Sequence, residues 1–287
     1  MRYSAQKACA EHLVDVAKHC ASAFFKAPRI TGYTRMDAEI ITGEDLWPII
    51  EMLGPLSTIN SFVRWDYETF KSTYDAGNPP VLLLLAADLT RSQMGWDCGA
   101  CGFATCKEFN AYAARNGGTG QLWGGPSCNW KVLDFGIACD WAAAAAAQLK
   151  VDNRIQADSG AMAGMLGYLP GHSAFIGLPL GPVGDLVWYS REAMHGKFSR
   201  EEAMANMFRC CPTHFGAFPG GGNPLVKNSE RWWETPSFNA AVQSPQAMAA
   251  VGQVMAEITA IAGKYAPEVA RKYQDNKVPA DLADEVR

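Results

Sequence analysis

Apolar residues recur at helical spacing through much of the chain. Residues 5–25 place Leu13, Val16 and Cys20 on one face, which predicts an amphipathic helix. The same spacing predicts further helices over EDLWPIIEML, ATCKEFNAYAARN, KVLDFGIACDWAAAAAAQLK and SGAMAGMLGYL, and over about residues 244–272. The alanine-rich segment is too apolar for a surface helix, and its small side chains let a neighbouring backbone approach closely.

Four shorter segments read as strands: AEIIT, VLLLLAADL, AFIGLPL and DLVWYSR. VLLLLAADL follows a pair of prolines and begins with five consecutive large apolar residues, which is typical of a strand buried on both faces. A Gly/Pro turn separates the last two segments. The alternation of helices and strands predicts an α/β (α+β) fold.

The pattern changes between residues 91 and 130, where glycine, cysteine and polar residues replace the apolar periodicity. This stretch lies between a predicted buried strand and a long helix. We therefore predict an inserted domain with its own cofactor over residues 91–130, and an α/β body formed by residues 1–90 and 131–287.

Composition and charge argue against some functions. Hydrophobic residues make up 48% of the 287 residues and the formal net charge is −4, so neither nucleic acid nor an anionic membrane is expected as the main partner. The longest apolar stretches are shorter than the roughly 20 residues that cross a bilayer. The N-terminal segment lacks the continuous apolar core of a signal peptide, so we expect a cytoplasmic protein.

Nine cysteines in such a chain favour metal binding or redox chemistry over disulfides. Cys98, Cys101 and Cys106 form the pattern C-x2-C-x4-C, and Cys128 follows after a loop. The interleaved glycines permit tight turns and leave backbone amides free to bond sulfur, which suits a compact iron–sulfur cluster. Zinc and unliganded structural thiols are the alternatives, although zinc sites more often present two separated C-x2-C pairs.

The segment CGACGFATCKEF with its late cysteine resembles the small 4Fe-4S domain of corrinoid iron–sulfur proteins and electron-transport subunits. The segments GPSCNWKVLDFGIA and VDNRI are similar to those of a family of prokaryotic ferredoxin-domain proteins, and this likeness covers roughly residues 5–191. The resemblance implies a 4Fe-4S cluster with the ligands Cys98, Cys101, Cys106 and Cys128.

The remaining cysteines form two groups. Three lie on apolar helix faces and are predicted to be buried structural thiols: Cys9, Cys20 and Cys139. Cys210, Cys211 and His214 lie in the loop CCPTHFGAFPGGG, where thiols, an aromatic ring and glycines are grouped as they are at the mouth of a pocket. These three are our candidates for catalytic residues.

A second cofactor is predicted for two reasons. A cluster alone transfers single electrons and does not transform an organic substrate, and it accounts for only a small part of the chain. DFGIACDWAAAAAAQLKVDNRI and AFIGLPLG are similar to the central helix and following strand of nitroreductase-like flavoproteins, which implies a nitroreductase-like body and bound FMN. No G-x-G-x-x-G motif indicates a dinucleotide site. The candidates for the FMN phosphate are Lys26, Arg29, Arg35, Arg154 and Arg191, and the candidate for the ring edge is Asn153.

These features together predict a homodimeric oxidoreductase. Single electrons would pass between the cluster and the flavin, with a redox protein such as a ferredoxin as partner and a small unsaturated or aromatic compound as substrate. The alternative is a non-catalytic electron-transfer subunit that docks on a larger redox enzyme, with Trp232 and Trp233 at the interface. A zinc-stabilised binding module is a third hypothesis.

Overall fold

The computed structural model describes residues 2, 4–117, 124–184, 186–190, 193, 195–196 and 245–276. In these residues the strands are β1 (Arg35–Ile41), β2 (Val81–Asp88) and β3 (Ala174–Leu180). They form one antiparallel sheet in the order β1-β2-β3. The sheet and the surrounding helices confirm the mixed α+β class.

The helices of the described residues are α1 (Ala5–Lys26), α2 (Trp47–Ser57), α3 (Ser61–Asp75), α4 (Cys106–Asn116), α5 (Asn129–Gln148), α6 (Ala157–Leu166), α7 (Val187–Ser190) and α8 (Pro245–Asp275). A 3-10 turn (Gly43–Leu46) leads into α2. The sequence analysis did not predict α3. Of these helices, none has both the length and the apolar character needed to cross a membrane.

β2 is buried on both faces, as its uninterrupted apolar sequence predicted. Successive side chains of a strand point to opposite faces. Leu82 and Leu84 therefore join the core formed with α2, α6 and α8, whereas Leu83 and Leu85 join the core formed with α1 and α5. The sheet thus lies between two helical layers.

The segment VDNRI and the residue after it, Gln156, cover the edge of β3. Asn153 pairs with Leu180 and Gln156 pairs with Gly177 in isolated antiparallel bridges. We predicted that DLVWYSR would form another strand, and this is wrong: its residues Val187–Ser190 form the short helix α7. Because VDNRI already occupies the β3 edge and β1 occupies the other side of β2, that segment has no strand edge beside β3 to pair with.

Two expectations about burial are corrected. Cys9 is exposed because it lies on the outer side of α1, whereas Cys20 and Cys139 are buried as predicted. Burial raises the pKa of the Cys20 thiol to about 11, as expected for an inert structural cysteine. α5 is a surface helix in the single chain, since Leu133 and Trp141 are each 45% exposed on it.

α6 packs closely on β3 at Gly160. A methyl group at this position would lie 2.6 Å from the Phe175 carbonyl oxygen and 2.7 Å from Ile176 Cα. We expect Gly160→Ala to lower the free energy of unfolding by about 2 kcal/mol, because overpacking a well-packed core costs about 1–3 kcal/mol. Urea denaturation followed by tryptophan fluorescence measures this change.

The matched control is Gly263→Ala on the exposed side of α8, where an added methyl group meets no atom within 4 Å. Alanine is favoured over glycine in a helix interior by about 1 kcal/mol, so this variant should be slightly stabilised. A Gly160→Ala variant as stable as Gly263→Ala would contradict the close packing of α6 on the sheet.

Candidate metal centre

Four cysteines line one pocket between the end of β2 and the start of α5. Cys98 and Cys101 lie in the loop that follows β2, Cys106 is the first residue of α4, and Cys128 immediately precedes α5. Aromatic and thioether side chains complete much of the wall: Met94, Trp96, Phe103, Phe109 and Trp130. The fold therefore brings the late cysteine to the same pocket as the three of the compact motif.

The turn between the first two cysteines depends on glycine. Gly99 and Gly102 have φ angles of +70° and +85°, in the left-handed region that other residues rarely adopt. The Gly102 amide donates to the Gly99 carbonyl oxygen at 2.9 Å and closes the turn. This geometry lets two thiols only three residues apart face the same pocket.

The third cysteine is held by the start of α4. Thr105 caps the helix, with its Oγ1 accepting a hydrogen bond from the Glu108 amide at 3.1 Å. The Cys106 amide donates to Asp97 Oδ1 at 2.7 Å, so the first turn of the helix is tied back to the loop that carries Cys98. The four residues between Cys101 and Cys106 therefore form a turn and a helix cap.

Tertiary hydrogen bonds bring the fourth cysteine to the loop. The Cys128 amide donates to the Leu89 carbonyl oxygen at 2.9 Å, which fixes the start of α5 to the end of β2. The side-chain amide of Asn129 donates to the carbonyl oxygen of Ala100, inside the C-x2-C turn. These bonds join two segments that α4 separates along the chain.

Side chains also donate hydrogen bonds to two of the sulfur atoms. Trp130 Nε1 donates to Cys98 Sγ at 3.3 Å, and Ser92 Oγ donates to Cys106 Sγ at 3.3 Å. The Ala100 backbone N–H, followed by the Trp130 N–H, lowers the pKa of the Cys98 thiol. Such donors favour the thiolate, which is the form of cysteine that binds metals.

The donor set suits a soft metal or an iron–sulfur cluster, because all four candidate ligands are thiols. A zinc ion would require the sulfurs to converge within about 2.3 Å of one point. Within the described ranges, no group of three or more His, Cys, Asp or Glu side chains is arranged to hold one metal ion. Four thiols that line one pocket are the donor set of both alternatives, a zinc ion and an iron–sulfur cluster.

The sequence analysis missed a buried lysine beside these cysteines. Lys131 follows Cys128 by one helical turn and is fully buried, and its Nζ has no hydrogen-bond partner among the residues described. Burial lowers the pKa of Lys131, while the negative charges of Asp88 and of a Cys128 thiolate oppose that shift. The signal in the sequence that could have identified this residue was a lysine three positions after Cys128, at the start of a predicted apolar helix.

A buried carboxylate, also missed, organises the loop between α1 and β1. Asp134 accepts hydrogen bonds from the Ile30 amide at 2.6 Å, the Thr31 hydroxyl at 2.6 Å and the Thr34 hydroxyl at 2.9 Å. It also accepts from the Thr31 amide at 3.2 Å. The loop that carries candidate phosphate ligands is thus attached to α5, whose first turn follows Cys128.

The candidate flavin ligands do not share one of the three pockets described for this chain. Arg29, Arg154 and Asn153 donate to the carbonyl oxygens of Phe25, Trp188 and Val151 at 3.0, 3.2 and 2.9 Å. Lys26 and Arg35 are exposed. The FMN site therefore stays a prediction from the sequence.

Several predicted residues lie outside the described part of the chain. They are the catalytic candidates Cys210, Cys211 and His214, the phosphate candidate Arg191, and the interface candidates Trp232 and Trp233. Their proposed roles stay predictions. The division into a body and an inserted domain over residues 91–130 also stays a prediction, although that segment does contain α4 and all four pocket cysteines.

Comparison with known proteins supports the ferredoxin-domain resemblance. An "Uncharacterized protein" of Archaeoglobus fulgidus is 28% identical over 167 residues, which cover 58% of this chain and 84% of that protein. No solved structure matches the chain, so the nitroreductase-like body finds no support there. Residues 124–191, which include GPSC and VDNRI, match the family described as "Uncharacterized protein containing a ferredoxin domain (DUF2148)", and this part of the chain is therefore similar to a family of ferredoxin-domain proteins.

Proposed function

We propose that this chain binds a 4Fe-4S cluster through Cys98, Cys101, Cys106 and Cys128 and transfers single electrons at its surface. The observation that carries the proposal is the convergence of these four cysteines on one pocket. The similarity of residues 124–191 to ferredoxin-domain proteins supports iron–sulfur chemistry independently of the pocket. A cluster would supply a site that gains and loses one electron without a change of ligands.

The hydrogen bonds at the pocket are suited to tuning a redox centre. Donors to cluster sulfurs and ligand sulfurs are a principal means by which proteins set a reduction potential. Trp130 and Ser92 supply two such donors, to Cys98 and Cys106.

The pocket also reaches the surface, as electron exchange with a partner requires. Cys98 is exposed, whereas Cys128 is buried. Trp96 is 49% exposed, and its ring packs edge-to-face on Trp130 with the centroids 6.0 Å apart. This aromatic pair lies beside the most exposed ligand, so we propose that a redox protein such as a ferredoxin, or a larger redox enzyme, docks on this side.

The flavin-containing oxidoreductase is the fuller form of this proposal. In that form FMN would exchange electrons with the cluster and act on a small unsaturated or aromatic compound. The exposed Leu133 and Trp141 of α5 support the proposed homodimer, because partly exposed apolar side chains on a helix are suited to an interface. The absorption spectrum of the purified protein distinguishes the two forms, because a bound flavin adds its own bands to those of a cluster.

The test is purification of the full chain without oxygen, followed by absorption spectroscopy and assays for iron, sulfide and zinc. We expect a broad brown absorption with about four iron and four sulfide atoms per chain. A yellow, fluorescent compound released by heat would identify a flavin in addition. Colourless protein with about one zinc ion per chain would contradict the proposal and favour the zinc-stabilised module.

A further inference from the structure

Lys131 occupies an unusual position for a charged residue. It lies one turn into α5, three residues after Cys128, and its side chain is fully buried. Its Nζ is shielded from solvent and has no hydrogen-bond partner among the described residues. Burying an ammonium group without a compensating partner costs several kcal/mol, so a negative charge close by would stabilise the charged form of Lys131.

The charged neighbours of Lys131 do not satisfy it by hydrogen bonding. Asp88 and Asp134 are the nearby carboxylates, and Arg91 adds a second positive charge. Asp88 Oδ1 accepts its hydrogen bonds from the amide and hydroxyl of Thr90, at 3.0 and 2.8 Å. Asp134 accepts its own from the loop between α1 and β1. Cys128 also acts electrostatically on Lys131, and its sulfur would carry a negative charge when it binds a metal.

We propose that Lys131 is a positioning residue whose ammonium group provides a counter-charge, fixed in place, to the metal centre at Cys128 and raises its reduction potential. This inference rests on the proposed function. A cluster with four thiolate ligands carries net negative charge, and reduction adds one electron and one further negative charge. A buried cation stabilises the reduced state more than the oxidised state, and the low dielectric of the interior strengthens the effect.

The helix also limits how far Lys131 can move from the centre. Lys131 lies in the first turn of α5, which begins directly after the N-cap residue Cys128, and helical side chains lean toward the N-terminus, so the Lys131 side chain is directed toward the Cys128 end of the helix. Burial on all sides prevents the side chain from extending into solvent as surface lysines do. The charge is therefore held in place before an electron arrives, which avoids reorganisation during transfer.

The experiment is a redox titration of the anaerobically purified full chain with dithionite, with the reduced cluster followed by electron paramagnetic resonance. Lys131→Met removes the charge and keeps much of the apolar stem. We expect the equilibrium constant for reduction of its cluster to fall about tenfold. For a one-electron couple this corresponds to a midpoint potential about 59 mV lower. Lys131→Arg retains the charge and is expected to stay close to the unsubstituted protein.

The matched control is Lys107→Met, which removes an equal charge next to Cys106 from an exposed side chain. Solvent screens that charge, so the equilibrium for reduction should change by no more than about twofold. If Lys131→Met does not fold, Lys131→Gln provides the neutral variant. Iron content and the resonance line shape report whether the cluster itself is intact in each variant.

Each outcome supports or overturns a specific claim. A lower potential in the neutral variants, with iron content unchanged, supports the counter-charge. An unchanged potential in Lys131→Met or Lys131→Gln, with the cluster intact, overturns it and leaves Lys131 with a packing role only. If the unsubstituted protein contains no iron, the proposed function itself fails, and this result is distinct from a failure of the inference.

Discussion

Replacing Cys101 by serine is expected to abolish the brown absorption of the anaerobically purified protein and to reduce its iron content from about four atoms to less than about one per chain. Cys101 lies in the glycine turn, and the described fold offers no other thiol between Gly99 and Cys106 to replace it. A serine hydroxyl is a harder and less acidic ligand than a thiol, so it binds iron–sulfur clusters poorly. Absorption spectra and an iron assay on matched preparations measure the change.

The control is Cys9→Ser, because Cys9 is exposed on α1 and does not line the pocket. This variant should retain the full iron content and the same spectrum. Retention of iron in Cys101→Ser at the level of Cys9→Ser would remove Cys101 from the ligand set. It would also weaken the assignment of the neighbouring Cys98, which depends on the same turn.

The second large effect is expected at Asp134. Asparagine keeps the shape of the side chain, but it replaces one carboxylate oxygen by an NH2 group. That group would face amide and hydroxyl groups that now donate hydrogen bonds to the carboxylate. A buried donor left without an acceptor costs about 1–3 kcal/mol, and more than one is affected. We therefore expect Asp134→Asn to lower the free energy of unfolding by about 3 kcal/mol, measured by urea denaturation.

Asp140→Asn serves as the comparison on the same helix, since Asp140 is exposed. Its stability should remain within about 0.5 kcal/mol of the unsubstituted protein. Equal stability of the two asparagine variants would show that the loop between α1 and β1 does not depend on Asp134. Loss of iron in Asp134→Asn alone would show in addition that this loop supports the start of α5.

Periodicity alone predicted much of the fold, and its failures have local causes. β2 was predictable because a strand covered on both faces needs no polar positions, and α8 was predictable because one face repeats apolar residues over many turns. DLVWYSR has the composition of a strand and forms α7. Strand propensity is overridden when the neighbouring sheet edge is already occupied, and occupation of the β3 edge depended on the distant segment VDNRI.

In the candidate site, too, the sequence predicted the local part and the tertiary contacts decided the rest. The spacing of Cys98, Cys101 and Cys106 indicated that three thiols belong to one compact unit, because they lie within one short turn and one helix start. The membership of Cys128 depended on the resemblance to other proteins. In the structure its approach depends on hydrogen bonds to Leu89 and Ala100, which no local pattern encodes.

The amino-acid sequence by itself determined the local units: the helical and extended segments, the glycine turn and the thiol chemistry that these can offer. Only the tertiary structure decided which units meet. It places the start of α5 at the end of β2, attaches the loop that follows α1 to Asp134 of α5, and buries Lys131 close to Cys128. The physical reason is that short-range periodicity reports burial, whereas contacts between distant segments and the desolvation of charged groups arise from packing of the whole chain.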